Sequence, residues 1–240
     1  MWISHATLPS LSPWNKLFSM QRRVPVFFWL YIPAILIIIQ IGIEIFVPKA
    51  LLPALHSESG PHETLQAILA FTSCLFAAFL LFFVNWKTQK WVGYAVIVAM
   101  LGSFYIAGEE ISWGQHILNW STPEYWAHFN DQSETNLHNT SAWLDQKPRL
   151  LLLIGIIVGG LLIPFLRLKK PHLLPAAFVP LYPSSLVVPT ALGVVLPYFV
   201  QEVFEGLYGR GPFERISEVQ EVYMYYFVLI YLWDLQNREL

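Results

Sequence analysis

Long apolar runs separated by short charged or Pro/Gly-rich breaks dominate the chain. Six runs approach the about 20 residues a helix needs to cross a bilayer, at about 24–47, 65–86, 91–113, 150–167, 185–206 and 218–237. The pattern predicts an all-α polytopic membrane protein, a single integral-membrane domain over 1–240. It has six transmembrane helices and a long structured outer loop, 114–149, between helices three and four. The first run follows Lys16, Arg22 and Arg23 as a secretory signal would. Val24 to Val47 is nevertheless too long for a signal core and lacks a small-residue cleavage site, so it should remain as the first span.

The segment 114–149 departs from this pattern: Trp120, Tyr125, Trp126, Phe129 and Trp143 are interleaved with Asn, Ser, Thr, His and acids. Ser121-Thr122-Pro123-Glu124 has the form of a helix start, with Ser121 as cap and Glu124 at the capping-box position. A short helix to about Asn130 would lay its aromatic side in the headgroup layer. Ser217 and Gln220 repeat the capping-box spacing ahead of the last run.

Composition sharpens the class. Of 240 residues 55% are hydrophobic and only 12% charged, against roughly 25% charged in soluble domains. A single cysteine, Cys74, excludes an intrachain disulfide and a cysteine-based zinc site. Nothing in so apolar a chain suggests a nucleic-acid partner; the expected partner is the lipid bilayer. With six spans, one side collects Lys16, Arg22, Arg23, Lys87, Lys90, Arg167, Lys169, Lys170 and Arg238, and the other only Lys49, Lys147, Arg149, Arg210 and Arg215. The positive-inside rule makes the first side cytoplasmic, with both termini there; a bacterial inner membrane is the setting that the resemblance described below implies. Acidic residues show the opposite skew, for only Asp234 and Glu239 fall on the cytoplasmic side. Acids carry little topological weight, so their skew calls for a separate reason.

That reason lies in where the acids fall along the spans. Glu109 and Glu110 close the third run, Glu202 and Glu205 the fifth, Glu218 and Glu221 open the sixth, and Glu44 lies near the outer end of the first. A charge at mid-bilayer costs about 2.5–3.5 kcal/mol on insertion scales, less near the edge, and so needs a partner or a purpose. Residues three or four apart share a helix face, so Glu202 with Glu205 and Glu218 with Glu221 can each converge on a point. Glu109, Trp113 and His116 fall on one stripe, while Glu110 points about 100° away, giving the two adjacent acids different jobs. Such a carboxylate cluster could bind a divalent metal with histidine, act as paired acid and base, or receive protons or a cation.

Two segments carry a resemblance: Gly108-Glu109-Glu110-Ile111-Ser112-Trp113-Gly114-Gln115 and Glu134-Thr135-Asn136-Leu137-His138-Asn139. In them the chain resembles a family of uncharacterised bacterial multi-pass membrane proteins carrying GEEISWGQ and ETNLHN. The resemblance implies that Glu109, Glu110, Trp113, Gln115, Glu134, Asn136 and His138 belong to one site. His116 stands where relatives carry arginine, which favours His138 as the ligand. A looser similarity is to the alkaline ceramidase class of membrane hydrolases, although the His-x-x-x-His pair of that class is missing from the final span.

The expectation is therefore a membrane-embedded enzyme, a metal-assisted hydrolase or transferase acting on a lipid or lipid-linked head group at the outer leaflet. Glu110, Glu202, Glu221 and His138 are the expected catalytic groups and also the expected ligands of a divalent metal. Glu109, Trp113, Gln115, Asn136, Glu134 and Glu205 are expected to bind substrate. The alternative is a proton- or cation-coupled transporter, or a binding subunit of an envelope assembly without catalysis.

Overall fold

The computed structural model describes residues 24–55, 60–127, 135–137 and 142–240. Six long helices organise them. α1 (Phe27–Phe46) opens with a π turn, Phe27–Tyr31, before the regular helix Ile32–Phe46. α2 (Pro61–Leu80) has proline in its first turn, where the missing N–H would have no partner in any case. α3 runs Lys90–Glu110. α4 runs through Ala142–Ile156, a π turn at Ile157–Leu162, and Ile163–Lys169. α5 (Val188–Tyr208) and α6 (Ile216–Glu239) complete the set.

Five helical stretches, in α1 to α5, are long and apolar enough to cross a membrane, so the chain is a multi-pass membrane protein in contact with lipid. Their outward faces carry exposed Ile38, Ile45, Phe82, Val98, Leu151 and Leu168. α6 is different. It has 24 residues and the largest buried share of any helix, yet it carries Glu218, Gln220, Glu221 and Asp234 on buried positions. A helix wrapped by its neighbours has no need of an apolar surface; it needs its polar groups paired.

The core accordingly forms around α6, which packs on α2 and α5 and also touches α3 and α4. One cluster joins Val219, Tyr223, Met224 and Phe227 to Ile156, Ala191 and Val194; a second joins Leu232 and Leu235 to Ala77, Leu80, Val92 and Val96. Hydrophobicity cannot drive helices together within lipid, so close contact and interhelical hydrogen bonds must. A Cβ on Gly160 would lie 2.6 Å from Ala191 and 2.7 Å from the Phe227 ring. The Tyr223 and Tyr226 hydroxyls donate to the carbonyls of Pro33 (2.5 Å) and Phe28 (2.7 Å) on α1. Asp234, 2% exposed, accepts the Ser184 amide at 2.9 Å and its hydroxyl at 2.8 Å ahead of α5, with Arg238 at 3.0 Å.

Several expected boundaries shift, each for a local reason. The third run stops at Glu110, not residue 113, because Ser112, Trp113 and Gly114 take left-handed φ of 46°, 54° and 89°. The second helix starts at Pro61 and ends at Leu80, ahead of the expected 65–86. The fourth begins at Ala142 with Pro148 inside it, so the connection from α3 is shorter than 114–149. Its first turns read as loop because they hold Asp145, Lys147 and Arg149. α6 starts at Ile216, and no side chain caps it. Ser217 is therefore not its cap, and Gln220 spends its amide on the Val194 carbonyl at 3.1 Å. The short helix after Ser121 spans Glu124–Ala127, with Tyr125 71% exposed; residues 128–130 lie outside the described ones.

Candidate functional site

The turn that ends α3 builds the first part of the site. Left-handed φ at a non-glycine residue costs of order 1–3 kcal/mol and persists only where its surroundings hold it. Here Glu109, 4% exposed, accepts the Trp113 indole N–H through Oε1 and the Leu137 amide through Oε2, both at 2.7 Å. The indole lies against Gly108, where a Cβ would meet the ring at 2.7 Å, so only glycine admits it. Ser112 accepts from the Asn136 amide at 3.1 Å, and Asn136 is 1% exposed. Gln115 accepts the Thr135 amide at 2.7 Å and donates to the Thr122 hydroxyl at 2.8 Å. The two sequence segments thus form one knot in which Glu109, Trp113, Gln115 and Asn136 hold backbone and each other.

Glu110 turns the other way and accepts the Tyr225 hydroxyl of α6 at 3.1 Å. Tyr225 stands one turn beyond Glu221, and the Glu221 carboxylate pairs with Arg149 of α4 at 2.7 Å. Glu221 is 4% exposed and the Arg149 side chain 33%. A turn earlier, Glu218 pairs with Arg215 at 3.3 Å. Gln66 of α2, fully buried, donates to the Glu218 carbonyl at 3.0 Å and to its carboxylate at 3.2 Å. The charges of Glu221, Glu218 and Glu63 all bear on Glu110. Four helices therefore contribute polar side chains near the C-terminal end of α3, a candidate chamber.

Other acids lie elsewhere. Glu44 takes the Gln40 amide at 3.0 Å and the Glu214 backbone N–H at 3.2 Å, and Gln40 faces His62 at 2.9 Å. Glu205 takes the Gln201 amide at 2.5 Å, and Gln201 accepts the Phe213 amide at 3.0 Å. Glu202 is exposed and bonds Tyr198 on its own helix. Of the expected catalytic and metal set, then, Glu110 and Glu221 come together, and neither Glu202 nor Glu205 makes a contact with them. His138 and Glu134 lie outside the described residues. Among the described residues no three His, Cys, Asp or Glu side chains are disposed to hold a metal ion; the chamber acids share a field without reaching a common ligand distance. The Glu109–Trp113–His116 stripe also falls away, since the helix that would carry it ends at Glu110.

Tyr225, Arg149 and Gln66 were missed by sequence reasoning. A signal existed for one of them: Tyr225 is four residues from Glu221 and so shares a face with an acid already singled out, whereas Gln66 shares one with Glu63, which carried no expectation. Arg149 gave none, because its segment read as loop.

Beside the chamber, an apolar groove of about 380 Å³ runs between α2 and α3, lined by Ala67, Ile68, Phe71, Phe104, Ala107 and Trp113 among others. Its residues interleave in sequence with Gln66 and with Glu109-Glu110, so groove and chamber lie at one depth.

Compared with models of protein families, with curated proteins and with solved structures, the chain has no significant match. No family is therefore shown for it, and helix length and hydropathy alone establish the multi-pass membrane class.

Proposed function

We propose that the protein is a six-span bundle of the cell membrane, with α6 as the sixth span, that acts as a hydrolase or transferase on a lipid or lipid-linked head group. By the count of lysine and arginine the termini are cytoplasmic and the chamber faces the outer leaflet, and the resemblance to bacterial multi-pass proteins makes the membrane a bacterial inner one. Glu110 serves as general base or acid, Tyr225 relays or orients its proton, and Glu221 with Arg149 supplies a fixed charge pair. The knot around Glu109, Gln115 and Asn136 positions Glu110 by ending α3 where it does.

One observation carries this reading: Glu110 reaches a tyrosine on the same helix face as a buried carboxylate from another part of the chain. Carboxylates held in unlike surroundings are how proteins divide acid from base roles. The neighbouring groove supports a lipid, since its volume falls in the about 300–1,000 Å³ range of small-molecule sites and its wall is apolar. Of the expected metal set Glu110 and Glu221 share the site, where the chemistry proposed is proton transfer by the chain's own side chains.

The test is to incubate the purified full chain in vesicles of total bacterial membrane lipid and follow lipid species by mass spectrometry. Wild type is expected to convert one head-group class, and Glu110→Gln to convert none. Unchanged lipids with wild type, together with proton or cation flux across the same vesicles that Glu110→Gln abolishes, would instead establish the transporter reading. That reading draws on the several carboxylates acting on one another near a single membrane surface.

A further inference from the structure

We infer that the groove between α2 and α3 is an acyl-chain site: it holds the part of one hydrocarbon chain of a bilayer lipid that lies nearest the head group, with the Trp113 indole as a wall. The inference rests on the functional reading above for the ligand being a lipid, and assigns where that lipid's chain lies.

Small residues on two facing helices make the groove. Ala67 of α2 and Ala107 and Gly108 of α3 form its buried floor, where short side chains leave space between the helices. Ile68, Phe71 and Phe104 line it as well, and each is more than half exposed, so the groove opens on the outside of the bundle. Leu75, four residues beyond Phe71, and Leu101, three before Phe104, carry the same exposed faces onward along the two spans. The groove is thus continuous with surface that already meets lipid. α3 has 21 residues, about 31 Å at about 1.5 Å per residue, so its last turn lies at one surface of a hydrocarbon core about 30 Å thick. Phe104 stands about 9 Å below Glu110 on that count, against about 15 Å for one leaflet. The groove therefore covers the first half of a chain and leaves its end in the bilayer.

The lining selects hydrocarbon. Among the described lining residues none is charged, and the Trp113 indole N–H is spent on Glu109 at 2.7 Å. An occupant finds dispersion contact there and no hydrogen bond. Lipid tails are as apolar as these walls, so retention must come from close contact with surfaces that stay in place. Trp113 supplies one: its backbone is fixed in the left-handed region at φ 54°, its ring lies against Gly108, and it meets Phe104 edge to face with ring centres 5.8 Å apart. A chain in the groove touches a floor and walls, whereas a chain on a convex helix touches one side only. A second copy is the wrong shape. One turn of a helix, about 10–12 Å across and about 5.4 Å high, already exceeds the groove's volume of about 380 Å³.

The experiment extracts the full chain in mild detergent from nanodiscs of palmitoyl-oleoyl phosphatidylethanolamine and phosphatidylglycerol, and counts retained lipid by native mass spectrometry. Wild type should keep a single lipid per chain. Ala107→Leu fills the floor and should lower retention by roughly tenfold or more. Phe71→Ala removes a wall from a largely exposed position and should lower it as well, with the thermal midpoint within a few degrees of wild type. Val98→Phe, on lipid-facing surface away from the lining, should leave retention unchanged. A lipid with a diazirine at mid-chain should cross-link within residues 67–71 and 104–113, and one with the diazirine at the chain end should label elsewhere. Absence of retained lipid in wild type, retention unaltered in well-folded Phe71→Ala, or mid-chain labels outside those segments overturns the assignment. A mass of two chains without lipid also overturns it, and makes a second copy the occupant. Labelling in the groove without head-group conversion in the vesicle assay upholds the acyl-chain site and removes the enzyme reading. Conversion without labelling in the groove does the reverse.

Discussion

Replacing Arg149 with methionine removes a guanidinium paired with Glu221 while keeping most of the side chain's apolar length. The Glu221 side chain is 5% exposed and lies 2.7 Å from Arg149, whose own side chain is 33% exposed. A fully buried pair broken on one side costs about 3–5 kcal/mol, whereas an exposed pair is worth about 0–1. Arg149 is partly solvated, but the stranded group in Arg149→Met is the buried carboxylate, so the cost should fall near the upper scale, at about 2–4 kcal/mol. That is roughly a 30- to 900-fold loss in the folding equilibrium at about 1.36 kcal/mol per decade. The converse change, Glu221→Gln, strands only a guanidinium that can turn toward water or phosphate, and should cost about 1 kcal/mol. The double variant Arg149→Met with Glu221→Gln should recover much of the loss, since no buried charge is left alone. Unfolding by graded denaturant in mixed micelles gives all four corners of the cycle. Equal costs for the two single variants, or strict additivity in the double, would refute the view that burial of Glu221 sets the energetics here.

The knot at the end of α3 makes a second prediction. Glu109→Gln should cost about 1.5–3 kcal/mol, because one of its two accepted hydrogen bonds, from Trp113 or from Leu137, must be lost to an N–H facing an N–H. Faster hydrogen exchange at the Leu137 amide and altered Trp113 emission should report it; unchanged exchange there would count against the knot. The third concerns packing. Gly160→Ala should destabilise by about 1–3 kcal/mol, since its Cβ would press on Ala191 and Phe227, while Gly102→Ala, with nothing within 4 Å, should be neutral or slightly stabilising. Thermal unfolding in detergent compares them, and equal midpoints would show that α4 does not meet α5 and α6 as closely as drawn.

The membrane class and the position of most long helices were legible from the chain alone, because a crossing helix must be both about 20 residues long and apolar wherever lipid touches it. Two acids at the end of the third run were legible for the same reason: in such a setting a charge stands out. How those acids divide was decided only by tertiary structure. Glu109 turns inward to hold Trp113 and Leu137, a residue 28 positions away, and Glu110 meets Tyr225 across 115 positions. Depth along a helix can be counted from sequence, but the direction in which the bundle folds around it cannot. Glu202, counted to the same depth as Glu110, is exposed, whereas Arg149, hidden in what read as a loop, reaches Glu221. α6 shows the same limit from the other side: its polar residues lower its hydropathy, and only its enclosure by α2, α3, α4 and α5 gives them partners. Periodicity and hydropathy are local quantities, while the pairing of buried charges depends on which helices become neighbours.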